Sequence, residues 1–246
     1  MKLKYLIIVL LIFSSTCFAF LGSNKDKYNV MLNPNRSDIE SAGFDTGDIT
    51  LFILDYSNSM NEMLYNSTKY EMLLESMKLL MTKTSDSDKI GLRLYGHRWG
   101  LTPIDACKAS SLVIPVGLYN TRNISGALSK YKPRGMTPIT YSLKQAVNKD
   151  FKGLDGNKHI ILITDGGENC DESPCKYAME LVKYRKDIKI DVIAFNLDND
   201  ADLDQLECVA KVTKGKLYQA DTKAELIKSM NSAFKAKKNV DAKILY

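Results

Sequence analysis

The chain has 246 residues, 45% hydrophobic and 26% charged, and 34 Lys and Arg against 29 Asp and Glu give a net charge of +5. These proportions are those of one ordinary globular domain, and the positive balance is too mild to argue for a nucleic-acid binder.

The first residues read as an address. Lys2 and Lys4 precede an apolar run from Leu6 to Phe13, and Cys17-Phe-Ala19 offers small residues for cleavage after Ala19. This is the pattern of a secretory signal peptide, residues 1–19, with a core too short to favour a stable membrane span. An uncleaved anchor is the alternative, and lipid attachment at Cys17 a second, though the residues before it lack the usual pattern. With Lys2 and Lys4 gone the net charge falls from +5 to +3. No later apolar run is long enough to cross a bilayer. Four cysteines then remain, Cys107, Cys170, Cys175 and Cys208. An even number in an exported chain predicts two disulfides with three possible pairings. Their scattered spacing, with no Cys-x-x-Cys, argues against zinc.

Residues 20–46 are polar and uneven and read as a linker or a segment laid over a domain surface. Asp48 to Leu54 is predicted to be the first core strand. A helix is expected over Met60–Thr82, where Met63, Tyr70, Leu73, Leu74, Met77, Leu80 and Met81 recur at helical spacing. Lys89–His97 reads as a strand. Ser111–Val116 reads as a short one, placed at an edge by Pro115 and antiparallel because the loop before it is too short for a crossover helix. Helices are expected over Asn123–Tyr131 and Pro138–Phe151, then a strand over Lys158–Ile163 and a helix over Cys175–Lys186. Ile188–Phe195 is a strand, Asp202–Thr213 a helix and Lys216–Gln219 a last short strand. The final helix, Thr222–Ala236, opens on a Thr222/Glu225 capping box. The tail 237–246 has no assignment. Alternating strands and helices predict one α/β domain over 47–236: a doubly wound, mostly parallel sheet with one antiparallel edge strand and helices on both faces.

Chemistry gathers at the ends of the predicted strands. Leu51-Phe-Ile-Leu54 delivers Asp55, followed by Ser57 and Ser59; a second apolar strand delivers Asp165; Thr137 stands before the Pro138-led helix. In open α/β sheets ligands bind outside the carboxyl ends of the strands. Carboxylates and hydroxyls are hard oxygen donors, suited to Mg²⁺ or Mn²⁺ more than to zinc. The bland alternatives are a Ser-rich turn that caps the next helix and a Thr137 that is a plain N-cap.

Asp55-Tyr-Ser-Asn-Ser59, Thr137 in Gly135-Met-Thr-Pro-Ile139 and Asp165 in Ile163-Thr-Asp-Gly166 occur in that order. They resemble the metal-ion-dependent adhesion site of the von Willebrand factor type A domain family. Tyr95-Gly-His-Arg98, a Cys in the next loop, Glu168-Asn-Cys through Pro-Cys175, and Cys208-Val-Ala210 are similar to exported bacterial members. The resemblance implies a metal set of Asp55, Ser57, Ser59, Thr137 and Asp165 holding Mg²⁺, or Mn²⁺ or Ca²⁺. It implies a protein partner whose Asp or Glu carboxylate completes the ion's shell, an adhesion or assembly role, and a periplasmic or secreted location. Tyr56, Asn58, His97, Arg98, Trp99 and Glu168 are candidates for the rim that such a partner would meet. The pairing Cys107–Cys170 with Cys175–Cys208 is expected, the rival being a Cys170–Cys175 bridge. Two other functions are weighed. A Mg²⁺-dependent phosphohydrolase would need a second carboxylate where Ser57 stands, and a structural protein could carry a non-essential metal site.

Overall fold

The computed structural model describes residues 48–241, with side chains as far as Lys235. The signal-peptide reading of 1–19, the 20–46 segment and residues 242–246 lie outside the described residues.

Eight strands are present among them. Six form one sheet: β1 (Ile49–Asp55), β4 (Lys89–Tyr95), β5 (Ser110–Gly117), β6 (Lys158–Thr164), β7 (Ile188–Phe195) and β8 (Leu217–Ala220), in the order β5-β4-β1-β6-β7-β8. All neighbours run parallel except β4 and β5, so the predicted antiparallel edge strand is present, and Pro115 on it is exposed. The helices are α1 (Lys69–Lys83), the short α2 (Pro103–Ala106), α3 (Thr121–Leu128), α4 (Ile139–Gln145), α5 (Pro174–Tyr184), α6 (Asp200–Val212) and α7 (Lys223–Asp241).

Alternation along the strands builds a core on each face. Phe52, Leu54, Leu92, Ile161, Ile163 and Phe195 pack with α1, α3 and α7 through Leu73, Met77, Ile124, Leu226 and Met230. Leu51, Ile53, Ile160, Leu162, Ile190 and Val192 pack with α4, α5 and α6 through Leu143, Ala178 and Leu206. Burying one such side chain contributes roughly 1.5–3 kcal/mol. The central strands carry apolar residues at both parities because both faces are covered.

Beyond shifts of one to three residues at other ends and the short α2 in what read as a loop, three departures from the sequence reading stand out. The helix expected from Met60 starts nine residues later, at Lys69. Asn58–Asn61 is a short 3₁₀ turn, and a small antiparallel hairpin follows, β2 (Met63–Leu64) with β3 (Ser67–Thr68), turning at Tyr65 with φ +57°. The start of α1 is fixed by a capping box, in which Thr68 Oγ1 accepts from Glu71 N and Glu71 Oε2 accepts from Thr68 N. Met63 is therefore exposed, not on the core face. After Gln145 the fourth helix loosens into a π-helical turn, Ala146–Asp150, closed by Phe151 N on Ala146 O at 3.0 Å. The last helix passes the expected end and reaches Asp241.

Candidate metal centre

The strand order places the site. From β1 the chain moves to one side through β4 and β5, then crosses back to β6 on the other side of β1. The carboxyl ends of β1 and β6 therefore flank the switch point of the sheet, the place at which open α/β sheets bind ligands. β1 ends in Asp55. β6 ends at Thr164, and Asp165 follows directly.

Four of the five predicted donors form one hydrogen-bonded network. Asp55 Oδ1 accepts from Ser57 N at 2.7 Å, and Asp55 Oδ2 accepts from Thr164 Oγ1 at 2.8 Å. Ser57 Oγ lies 3.0 Å from Ser59 Oγ, and Ser59 Oγ donates to Asp165 Oδ1 at 2.7 Å. Thr137 reaches the site on a loop that is stitched to it. Gly135 forms a β-bridge with Ser57, and Gly135 O accepts from Asn58 N at 3.0 Å. Thr137 N donates to Asn169 Oδ1 at 2.7 Å. Thr137 is buried.

One glycine makes this convergence possible. Gly96, which follows β4, has φ +68°, and a Cβ there would meet Ser57 N at 2.6 Å and Met136 O at 2.7 Å. Its carbonyl accepts from Arg134 N and Gly135 N. Only a residue without a side chain lets the three loops approach this closely.

The electrostatics call for a cation. Asp55 is fully buried, and burial first, then the charge of Asp165, pushes its carboxyl up to about 7, against the hydrogen bonds from Ser57 and Thr164. Burial also raises Asp165, opposed by Ser59 and Lys69. Asp165 Oδ2 is buried, with the Lys69 ammonium 3.2 Å away and no aligned hydrogen bond. Two buried carboxylates are costly unless positive charge joins them, and Lys69 at Asp165 supplies one such charge. Among the described residues no group of three or more His, Cys, Asp or Glu is gathered. The remaining donors here are hydroxyls and carbonyls, the hard set that Mg²⁺, Mn²⁺ or Ca²⁺ accepts.

The rim candidates divide. Tyr56 is fully buried and donates its hydroxyl to Leu128 O at 2.8 Å, so it packs the core instead of facing a partner. Glu168 is spent on backbone: its carboxylate accepts from Thr140 N at 2.7 Å and Cys170 N at 3.0 Å, which holds the head of α4. His97 packs edge-on against Tyr131, and burial, then Arg98 and Arg93, lowers it to about 4. Asn58 and Arg98 are exposed, Arg98 donating to Lys108 O, and Trp99 is 71% exposed. The sequence reading missed three supporting residues. Thr164 holds Asp55 and Asn169 holds the Thr137 loop, both sitting in motifs already noted. Lys69 stands 3.2 Å from Asp165 Oδ2 and gave no signal, hidden inside what read as a continuous helix.

Both disulfides take the expected pairing. Cys107 joins Cys170 with Cα atoms 5.5 Å apart, and Cys175 joins Cys208 at 5.4 Å. The first ties the loop after β4 to the loop after β6; the second ties α5 to α6.

A model of the von Willebrand factor type A domain matches residues 48–233. The chain belongs to that family. It is 27% identical over 181 residues to the Bacillus subtilis (strain 168) protein YwmC, itself uncharacterized, a match that takes in 72% of this chain and 78% of YwmC. Among solved structures it is similar to an aerotolerance-related membrane protein from Bacteroides fragilis, with 15% identity, TM-score 0.57, and 76% of this chain and 98% of that one covered. It is also similar to proximal thread matrix protein 1 from the mussel byssus, solved with zinc in its metal-ion-dependent adhesion site. There the identity is 21%, the TM-score 0.59, and the match covers 77% of this chain and 45% of that one. Identities this low speak for the fold. Domains of this type commonly bind a divalent metal and mediate protein interactions. Among the described residues no helix is long and apolar enough to cross a membrane.

Proposed function

We propose that this chain is an exported binding module, not an enzyme, that takes an acidic side chain of a protein partner through a divalent cation. Asp55, Ser57, Ser59, Thr137 and Asp165 would hold the ion. Mg²⁺ is the expected occupant, with Mn²⁺ or Ca²⁺ accepted by the same oxygens. The observation that carries the reading is the Asp55–Ser57–Ser59–Asp165 network, which gathers two buried carboxylates and two hydroxyls at one edge of the sheet.

The chemistry follows from the donor count. Two carboxylates and three hydroxyls leave a divalent ion short of a full shell of about six oxygens. When bound, the ion supplies a Lewis-acidic point that prefers an anionic oxygen. The residues of the chain do the rest: Thr164 and Ser57 N orient Asp55, Ser59 orients Asp165, and Gly96 keeps the loops in contact. Asn58, Arg98 and Trp99, exposed on the loops that follow β1 and β4, would select among acidic partners. Two disulfides and the signal-like residues 1–19 support an extracytoplasmic setting, periplasmic or secreted.

The test is capture on immobilised chain from a cell-envelope fraction, run with Mg²⁺, with EDTA, and with Asp55→Ala in Mg²⁺. A partner retained only by the wild-type chain with Mg²⁺ is expected. Retention that ignores both EDTA and the substitution would overturn the reading.

A further inference from the structure

Lys69 is the first residue of α1 and is only 5% exposed, although it is a lysine. Its backbone N donates to Glu62 O at 3.0 Å across the base of the β2–β3 hairpin, and the adjacent capping box fixes the point from which its side chain leaves. Its ammonium lies 2.8 Å from Glu62 Oε2 and 3.2 Å from Asp165 Oδ2. Toward Asp165 it reaches ion-pairing distance, while Asp165 Oδ1 accepts from Ser59, so a divalent ion at Asp165 would share the carboxylate with the ammonium. A desolvated ammonium is costly and persists only where nearby carboxylates compensate it.

We propose that Lys69 is a resident counter-ion of the metal centre that shares Asp165 with the divalent ion and holds the affinity for the bare ion down. This rests on the metal-binding reading above and assigns Lys69 a role as a positioning and tuning residue, not a ligand. Asp55 and Asp165 bring two negative charges; the ammonium at Asp165 cancels part of one. Like charges sharing one carboxylate in a poorly solvated crevice repel more strongly than they would in water. The bound ion is consequently left under-neutralised, which strengthens its demand for an external carboxylate. Lys69 thereby trades retention of the lone ion for a tighter hold on an acidic partner.

Isothermal titration of Mn²⁺ into metal-stripped full chain tests this, using wild type, Lys69→Met, Lys69→Gln and Asp165→Ala, with thermal unfolding in EDTA and in Mn²⁺ as the second readout. Lys69→Met and Lys69→Gln are expected to bind Mn²⁺ at least roughly tenfold tighter than wild type. They should also melt below wild type in EDTA and gain more from Mn²⁺ than it does. Unchanged or weaker binding in both Lys69 variants overturns the role of Lys69, as does failure of both to fold with Mn²⁺ present. Wild type and Asp165→Ala binding Mn²⁺ alike overturns the metal-site reading itself, which is a separate result.

Discussion

Thr164 Oγ1 donates to Asp55 Oδ2 at 2.8 Å, joining the last residue of β6 to the last residue of β1 across 109 positions of sequence. Thr164 Oγ1 also accepts from Gly166 N at 3.3 Å and lies 2.8 Å from Gly166 O, so its hydroxyl shapes the turn that carries Asp165. A residue that orients one carboxylate and the backbone beside the other should matter to metal affinity without touching the ion. Partners of this kind are typically worth about 10–100-fold in affinity. Thr164→Val keeps the β-branched shape and removes the hydroxyl. It is expected to weaken Mg²⁺ or Mn²⁺ binding by roughly that factor in a calorimetric titration while the far-UV spectrum is unchanged. Binding equal to wild type would mean that Asp55 needs no such support.

The convergence of Asp55, Ser57, Ser59 and Asp165 was readable in the sequence because these residues sit where a strand ends, and strand ends announce themselves. Leu51–Leu54 and Ile160–Ile163 are apolar at both parities, which only a strand buried on both faces requires. The hairpin at Met63–Thr68 was not readable. Its residues continue the helical spacing of Tyr70 to Met81, and the break comes from Tyr65 at φ +57° and from the Thr68/Glu71 box, whose side chains compete locally with the helix. Lys69 was lost for the same reason. A lysine inside a helix reads as solvent-exposed, and only the three-dimensional approach of Asp165 gives it a buried partner. Tyr56 failed as a rim residue because a position between two donors can point either way: its neighbours face the site while its own ring enters the core.

The pH response of the metal-free chain follows from Asp55. Its carboxyl has an ordinary value of 3.8 and is pushed up to about 7 in the fold, mainly by burial and next by Asp165. Between these values the folded chain keeps a proton that the unfolded chain has released. The stability this contributes is complete below about 3.8 and is lost as pH rises through about 7. In EDTA, wild type should therefore lose melting temperature relative to Asp55→Asn as pH is raised from 4 to 8. Saturating Mg²⁺ should abolish that relative loss, because the ion takes the place of the proton. Parallel melting profiles for the two chains in EDTA would count against a strained Asp55.

Away from the site, Arg93 on β4 grips Asp150 with two bonds of 2.7 Å, from Nε and Nη2, and its Nη1 donates to Ser110 Oγ at 2.9 Å. Both side chains are almost wholly buried. The geometry is the paired fork that arginine makes and lysine cannot. Removing one partner strands the other charge, a loss of about 3–5 kcal/mol. Arg93→Ala and Arg93→Lys are both expected to lower the urea midpoint strongly. The double variant Arg93→Ala/Asp150→Ala should recover part of the loss, since no lone charge remains. Additive losses in that cycle would show that the pair contributes by packing alone.

The two disulfides should differ in what they protect. Cys107–Cys170 closes a separation of 63 residues and Cys175–Cys208 one of 33. In the chain-entropy model these constrain the unfolded state by roughly 4 kcal/mol each, the longer loop slightly more. Their positions separate them further. Cys170 follows Asn169, whose side chain accepts from Thr137 N, and its own N donates to Glu168, so the first bridge braces the loop that positions a candidate metal donor. Cys175, in the first turn of α5, and Cys208 join two helices on one face of the sheet. Replacing either pair by serine should lower the urea midpoint by a similar amount. Only the Cys107→Ser/Cys170→Ser chain should also bind Mg²⁺ or Mn²⁺ more weakly when titrated under native conditions. Equal metal affinity in both serine pairs would show that the loop after β6 keeps its shape through its hydrogen bonds alone.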